Sequence, residues 1–224
     1  MHFLNPERWQ RLCQQLTIQN QSAISQEFER IAAAYQEPQR AYHTAQHINE
    51  CLAIMDGAAL TLGPHAQATL EMALWYHDLV YQPQKADNEQ QSAVRASTFL
   101  RANGVSDTLV EEITLLVMAT CHSTPSLSKT KTALTDWIVD IDLAILGAAP
   151  QRFTQYEAQI RQEYAWVPIS VYRSKRIKVL TQFLESAAIY RSSFFQQRFE
   201  AQARENLLNL VIALRPQPRK PVSK

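Results

Sequence analysis

Apolar residues recur at intervals of three and four along most of the chain, which is the spacing of one face of an α-helix. Sustained alternation of polar and apolar residues, which is typical of half-buried strands, is rare. The pattern therefore predicts an all-α, single-domain helical bundle over residues 1–214, with helix ends uncertain by about 2–4 residues. The predicted helices are 7–16, 22–35, 45–60, 64–80, 88–103, 107–120, 134–146, 150–164, 169–194 and 196–214.

The four glycines each follow a helix-like segment. Glycine adopts the left-handed backbone conformation that often ends a helix, because it has no Cβ. We therefore expect Gly57, Gly63, Gly104 and Gly147 to act as helix C-caps.

Composition limits the classes of partner and compartment. The chain has 22 basic and 21 acidic residues, so net charge gives no reason to expect an extended nucleic acid or a membrane as partner. It lacks an apolar segment long enough for a signal peptide or a membrane span, and its three cysteines form no C-x-x-C pair. These features predict a cytoplasmic protein. The last residues, 215–224, are basic and proline-rich and predict a flexible tail.

Polar residues interrupt two otherwise apolar helical segments, at His77 and Asp78 and at Asp142, and His47 stands four residues after His43, on the same face of a helix. A charge in such a segment needs a partner or a metal ion, because burial of an unpaired charge is costly. Only tertiary folding can bring residues so distant in sequence together. If it does, the two imidazoles and two carboxylates can hold a divalent cation.

The ordered series of an early His, an adjacent His-Asp and a distant Asp resembles the HD superfamily of metal-dependent phosphohydrolases. The similarity extends over about residues 25–210 to a subgroup known only as predicted phosphohydrolases, and it is carried by residues 40–48, 75–81, 87–93, 119–120 and 140–147. The resemblance implies the helical HD-type fold, and it implies that His47, His77, Asp78 and Asp142 are the metal ligands.

The same resemblance suggests catalytic residues. Tyr42-His43-x-x-x-His47 is distantly similar to a motif of cyclic-nucleotide phosphodiesterases in which the first His donates a proton, although Thr44 stands where those enzymes have Asn. His43 is thus the expected proton donor, and the second carboxylate oxygen of Asp78 can orient water. Glu89 is either a water-orienting base or an ordinary acidic residue at a helix start.

Candidate substrate-binding residues follow from the need for positive charge near a phosphate. Arg40, Lys85 and Arg176 are candidates, although a single such residue is more often a solvated surface charge. Tyr172 can stack on a base or pack in the core. His122 can contact phosphate, complete a second metal position or end a helix.

A nitrogen and oxygen ligand set without thiolate favours Mn or Fe(II), with Mg, Co, Ni or Zn as alternatives. The expected function is hydrolysis of a small phosphate ester, with a nucleotide as one option, by metal-activated water. Two alternatives stay open, a noncatalytic nucleotide-binding sensor and a di-iron HD-type oxygenase. A homodimer is compatible with the sequence.

Overall fold

The computed structural model describes residues 3–58, 62–121 and 132–215. Within these ranges all regular secondary structure is helical, which confirms the all-α prediction. None of the described helices is long and apolar enough to cross a membrane. The helices are α1 (Pro6–Gln15), α2 (Gln21–Ala34), α3 (Ala45–Ala58), α4 (Pro64–Tyr76), α5 (Asn88–Ala102), α6 (Asp107–Ala119), α7 (Ala133–Asp142), a 3-10 helix (Leu143–Gly147), α8 (Pro150–Glu163), α9 (Ile169–Glu185) and α10 (Ser193–Leu214).

The chain divides into two compact units, Met1–Ala144 and Ile145–Lys224. The first unit contains α1–α7 and the second contains α8–α10. The single domain over residues 1–214 stays a prediction. Residues 216–224 of the predicted tail lie outside the described residues.

Helix α4 is the central helix of the first unit. It packs against α1, α3, α5, α6 and α7, and its residues from Leu70 to Tyr76 are buried apart from Glu71. The Trp75 ring contacts the Trp9 ring at a centroid distance of 5.3 Å. A helix that is apolar around most of its circumference has to be buried on all sides. Its C-terminal end is therefore held firmly by the surrounding core.

Three helices end earlier than the apolar pattern predicts. The predicted ends were 80 for α4, 146 for α7 and 194 for α9, whereas the helices end at Tyr76, Asp142 and Glu185. For α9, the Arg204 guanidinium binds the carbonyls of Leu184, Ser186 and Ala187. These distant donors satisfy carbonyls that a longer helix would have paired internally, and local periodicity does not report them.

The glycine prediction is confirmed at Gly104, which has φ +78° directly after the C-cap of α5. Gly147 is the last residue of the 3-10 helix and does not have the positive φ of a left-handed cap. Gly57 lies inside α3 and Gly63 is the N-cap of α4, so the C-cap prediction is wrong for both. A Cβ on Gly147 would lie 2.7 Å from the Phe199 carbonyl oxygen, so close packing within the second unit requires glycine there.

Candidate metal centre

Helices α3, α4 and α7 pack against one another and bring the four predicted ligands to one place. His47 lies in the first turn of α3. His77 and Asp78 directly follow α4, and Asp142 is the last residue of α7. The site is therefore built at the ends of helices rather than within them, and it lies entirely in the first unit.

The donor atoms of the tetrad converge. The His47 and His77 Nε2 atoms are 3.1 Å apart. The Asp78 Oδ2 atom lies 3.3 Å from His47 Nε2 and 3.1 Å from His77 Nε2. The Asp142 Oδ1 atom lies 3.2 Å and 3.6 Å from the same two nitrogens. One carboxylate oxygen of each aspartate thus lies within 3.6 Å of both imidazole Nε2 atoms.

These separations match a coordination shell. Ligand atoms about 2.1 Å from a cation, at angles of about 90–110° to one another, lie about 3.0–3.4 Å apart. The observed range of 3.1–3.6 Å is close to this without any rearrangement. The residues therefore fit a divalent metal ion.

A hydrogen bond selects the tautomer of His77 that suits metal binding. The His77 Nδ1 atom lies 2.8 Å from the Leu74 carbonyl oxygen. A carbonyl only accepts hydrogen bonds, so Nδ1 carries the proton and donates it. The lone pair of Nε2 then faces Asp78 and Asp142, which is the usual arrangement of a metal-binding histidine.

Sequence reasoning missed Cys51, which is buried one helical turn after His47. A donor atom from each of His47, Cys51, His77 and Asp142 lies within 4.8 Å of the others, so this cluster could hold a metal ion. The i, i+4 spacing from His47 was the signal available in the sequence. The Cys51 sulfur is 3.7 Å from Nδ1 and 3.8 Å from Nε2 of His47. Asp78 is not a member of this cluster, although its Oδ2 atom lies 3.1–3.3 Å from both imidazole Nε2 atoms. The choice of Asp78 as a ligand stays a prediction.

Electrostatics couples the four side chains when no metal is bound. Burial opposes protonation of His77, but Asp78 and Asp142 outweigh it and hold its pKa well above the ordinary value. Burial also opposes protonation of His47, whose pKa is raised by Cys51, Tyr42 and the two carboxylates. Burial raises the pKa of Asp78, but the neighbouring imidazoles lower it well below the ordinary value. Protons and a metal cation therefore compete for the same donor atoms.

The centre is more open on one side. The His47 and His77 side chains are 2% and 0% exposed, whereas those of Asp78 and Asp142 are 18% and 15% exposed. The imidazoles thus form the closed side of the site and the carboxylates form the accessible side. Structural zinc sites are closed on all sides, whereas catalytic sites keep a position for water or substrate.

His43 lies beside the tetrad. Its ring stacks on Tyr81 at a centroid distance of 4.1 Å and meets the His47 ring edge-on at 5.9 Å. Its charge also contributes to the low pKa of Asp78. The side chain is partly exposed, and its role as a proton donor stays a prediction.

Arg40 supports the backbone of this site. Its side chain is fully buried, and its Nη1 atom donates to the carbonyls of Asp78 at 2.7 Å and His43 at 3.1 Å. Its Nη2 atom donates to the Leu79 carbonyl at 2.8 Å, and its Nε atom binds Glu37. These bonds give Arg40 a structural role, and its contact with phosphate stays a prediction.

The other predicted residues fall in several places. Glu89 is partly buried in the first turn of α5, and Lys85 is exposed in the segment before that helix. Tyr172 and Arg176 belong to α9 in the second unit. His122 lies outside the described residues. The roles proposed for these five residues stay predictions.

Within the second unit, Arg176 and Tyr172 have defined surroundings. The Arg176 guanidinium forms a partly buried ion pair with Glu157 and donates to the Tyr156 hydroxyl at 3.0 Å. Tyr172 is buried beneath the Arg161 guanidinium, and burial raises its pKa to about 12. Its burial agrees with the core-packing alternative.

Comparison with family models, curated proteins and solved structures finds no match for this chain. Any functional inference therefore depends on the geometry and chemistry of the site itself.

Proposed function

We propose that this protein is a metal-dependent phosphohydrolase of the HD type, acting on a small phosphate ester such as a nucleotide. The observation that carries the proposal is that His47 and His77 Nε2 lie 3.1 Å apart and each lies 3.1–3.6 Å from an oxygen of Asp78 and of Asp142, with the carboxylate side accessible. A closed site would support only a structural ion. An accessible one leaves coordination positions for water and a phosphoryl oxygen.

Two imidazole nitrogens and two carboxylate oxygens favour Mn or Fe(II), because harder cations such as Mg prefer oxygen ligands alone. When bound, such a cation lowers the pKa of water and polarises a phosphoryl oxygen. The protein contributes the orientation of the ligands. The bond from His77 to the Leu74 carbonyl and the bonds from Arg40 to the Asp78 segment supply it.

Departure of the alcohol from a phosphate ester requires a proton, and histidine is the usual donor near neutral pH. His43 is the proposed donor, because it lies beside His47, is partly exposed and is oriented by stacking on Tyr81. The Asp78 carboxylate has a second oxygen that can accept a hydrogen bond from the attacking water. Glu89 is proposed as a further water-orienting group from the first turn of α5.

The proposal is tested by removing one ligand and comparing it with a matched histidine variant. Metal-free protein, reconstituted separately with Mn, Fe(II), Co and Mg, is assayed for phosphate release from phosphomonoesters and nucleotides. We expect His77→Ala to lose at least about 100-fold in kcat/KM. The exposed His65 in the first turn of α4 supplies the control, His65→Ala, which should retain activity.

Equal activity of wild type and His77→Ala would refute the assignment. Nucleotide binding without phosphate release under every metal would instead favour the noncatalytic sensor. Oxygen consumption with iron oxidation during turnover would favour the di-iron oxygenase.

A further inference from the structure

A groove separates α2 from α5 in the first unit. One face of α2 from Ala23 to Ala34, one face of α5 from Gln91 to Asn103, and residues 79–82 line it, and Glu37 extends the α2 side. We call it the α2/α5 groove. Its volume is about 780 Å³, within the range of about 300–1,000 Å³ typical of small-molecule sites.

The two carboxylates that line the groove already have cationic partners. Glu27 is buried, accepts the Tyr76 hydroxyl at 2.9 Å and pairs with Arg30 at 3.3 Å. Glu37 pairs with the buried Arg40 at 3.1 Å. Neither carboxylate is therefore available as an uncompensated negative charge for a cationic ligand.

Arg95 is different, because no described side chain pairs with it. With both carboxylates compensated, its guanidinium leaves the groove with one excess positive charge. Arg30 lies across the groove, with a 73% exposed side chain and only one long ion-pair contact. Two guanidinium groups with spare donors are suited to a phosphate, whose oxygens accept paired hydrogen bonds.

The groove also offers apolar surface. Leu79, Tyr81 and Phe99 line it and are each 8% exposed. A ligand that combines an anionic group with a flat apolar portion would contact both kinds of surface. The volume accommodates a molecule the size of a nucleotide.

We propose that the α2/α5 groove is a second ligand site, which binds an organic phosphate of nucleotide size through Arg95 and Arg30. The phosphate lies between the two guanidinium groups, and the apolar portion packs against Phe99 and residues 79–81. This binding does not depend on the proposed hydrolysis.

Two residues that line the groove also contact residues of the metal centre or beside it. Glu37 lines the groove and binds Arg40, whose guanidinium holds the Asp78 carbonyl. Tyr81 lines the groove and stacks on His43. A ligand that contacts Glu37 and Tyr81 can therefore change the positions of a metal ligand, Asp78, and of the proposed proton donor, His43. The expected consequence, a change in turnover when the groove is filled, rests on the proposed function.

Binding is tested on metal-free His77→Ala protein, in which the metal centre is disabled as a competing site for phosphate. The probe is adenosine 5′-monophosphate, titrated by calorimetry, with adenosine and inorganic phosphate as partial probes. We expect the monophosphate to bind at submillimolar concentration and each partial probe to bind at least about tenfold more weakly. Metal-free wild type is titrated in parallel, so that binding can still be measured if His77→Ala does not fold.

Arg95→Glu should weaken binding of adenosine 5′-monophosphate by at least about tenfold, because it reverses the excess charge of the groove. Arg101→Glu is the control, since Arg101 is also exposed on α5 but pairs with Asp107 and does not line the groove. Arg101→Glu should bind the monophosphate with the same affinity as the metal-free protein in which it is made. Equal affinity in Arg95→Glu, or no binding by either metal-free protein up to about 5 mM, would overturn the proposal. Neither result depends on catalysis, so failure here is distinguishable from failure of the phosphohydrolase assignment.

Discussion

Substitution of Asp142 by Asn probes the metal centre with little change in shape. The Asp142 Oδ1 atom lies 3.2 Å from His47 Nε2 and 3.6 Å from His77 Nε2, at the end of α7. The amide keeps the size of the side chain but removes its charge and one strong oxygen ligand. We therefore expect Asp142→Asn to fold and to bind metal much more weakly.

The expected effect can be worked as a stability difference. A ligand at 100 times its Kd stabilises the native state by about 2.7 kcal/mol. For a chain of 224 residues this raises the unfolding midpoint by about 5–11 °C, at about 2–4 °C per kcal/mol. If the lost carboxylate weakens binding about 100-fold, the same metal concentration stabilises the variant by only about 0.4 kcal/mol, or about 1 °C.

The measurement is thermal unfolding of metal-free wild type and Asp142→Asn, each with and without Mn. Asp107→Asn is the control, because Asp107 is an exposed residue in the first turn of α6. It should show the full stabilisation of wild type. An equal rise of the midpoint in wild type and Asp142→Asn would show that metal binds elsewhere, and the four-ligand geometry would then have no functional meaning.

Three further predictions concern protonation, the buried arginine and two glycines. The pKa values of His47 and His77 are raised in the metal-free protein, so the stability that their protonated forms contribute is complete below about pH 6.5 and is lost as the pH rises through the raised values. Metal binding must therefore release protons, and the metal affinity must increase with pH. Calorimetry in buffers of different ionisation enthalpy measures the number of protons released. If the buffer takes up no protons, the prediction is wrong. Arg40→Met should lower the free energy of unfolding by about 3–5 kcal/mol, because it leaves three backbone carbonyls and Glu37 without their donor. Denaturant titration tests this, and the stability of Arg40→Lys should lie between those of wild type and Arg40→Met. Gly147→Ala should lower the free energy of unfolding by about 1–3 kcal/mol through overpacking. Gly57→Ala lies inside α3, where a Cβ meets nothing within 4 Å, and should raise the free energy of unfolding by about 0.5–1 kcal/mol. Denaturant titration measures both changes, and changes of the same sign would refute the packing argument.

The helical fold and the four converging side chains were predictable because both leave local signals. Helical faces appear as intervals of three and four, and charged residues inside apolar segments stand out. The ends of α4 and α9 were not predictable in the same way. Arg204 binds carbonyls at the end of α9 and Arg40 binds carbonyls just after α4, and both guanidinium groups reach carbonyls 17–39 residues away in sequence. Cys51 was missed because its i, i+4 spacing from His47 is equally typical of two residues that share a buried helix face.

His77 and Asp78 directly follow Tyr76, the last residue of α4, and His77 keeps helical backbone angles of φ −56° and ψ −36°. Adjacent side chains on a helix diverge by about 100°, yet the donor atoms of His77 and Asp78 lie 3.1 Å apart. Two neighbouring residues at the end of one helix can therefore contribute to the same site.

A helix that ends in a core must find donors for its last carbonyls, and α4 finds three of them in nearby residues. The Tyr35 hydroxyl donates to the Trp75 carbonyl, the Leu79 amide to that of Tyr76 and His77 Nδ1 to that of Leu74. Arg40 donates to the carbonyls of Asp78 and Leu79, which follow the helix. The His77 bond therefore has two effects, because it satisfies a carbonyl in the last turn of α4 and leaves Nε2 toward the carboxylates. The negative end of the helix dipole favours a cation at the same point.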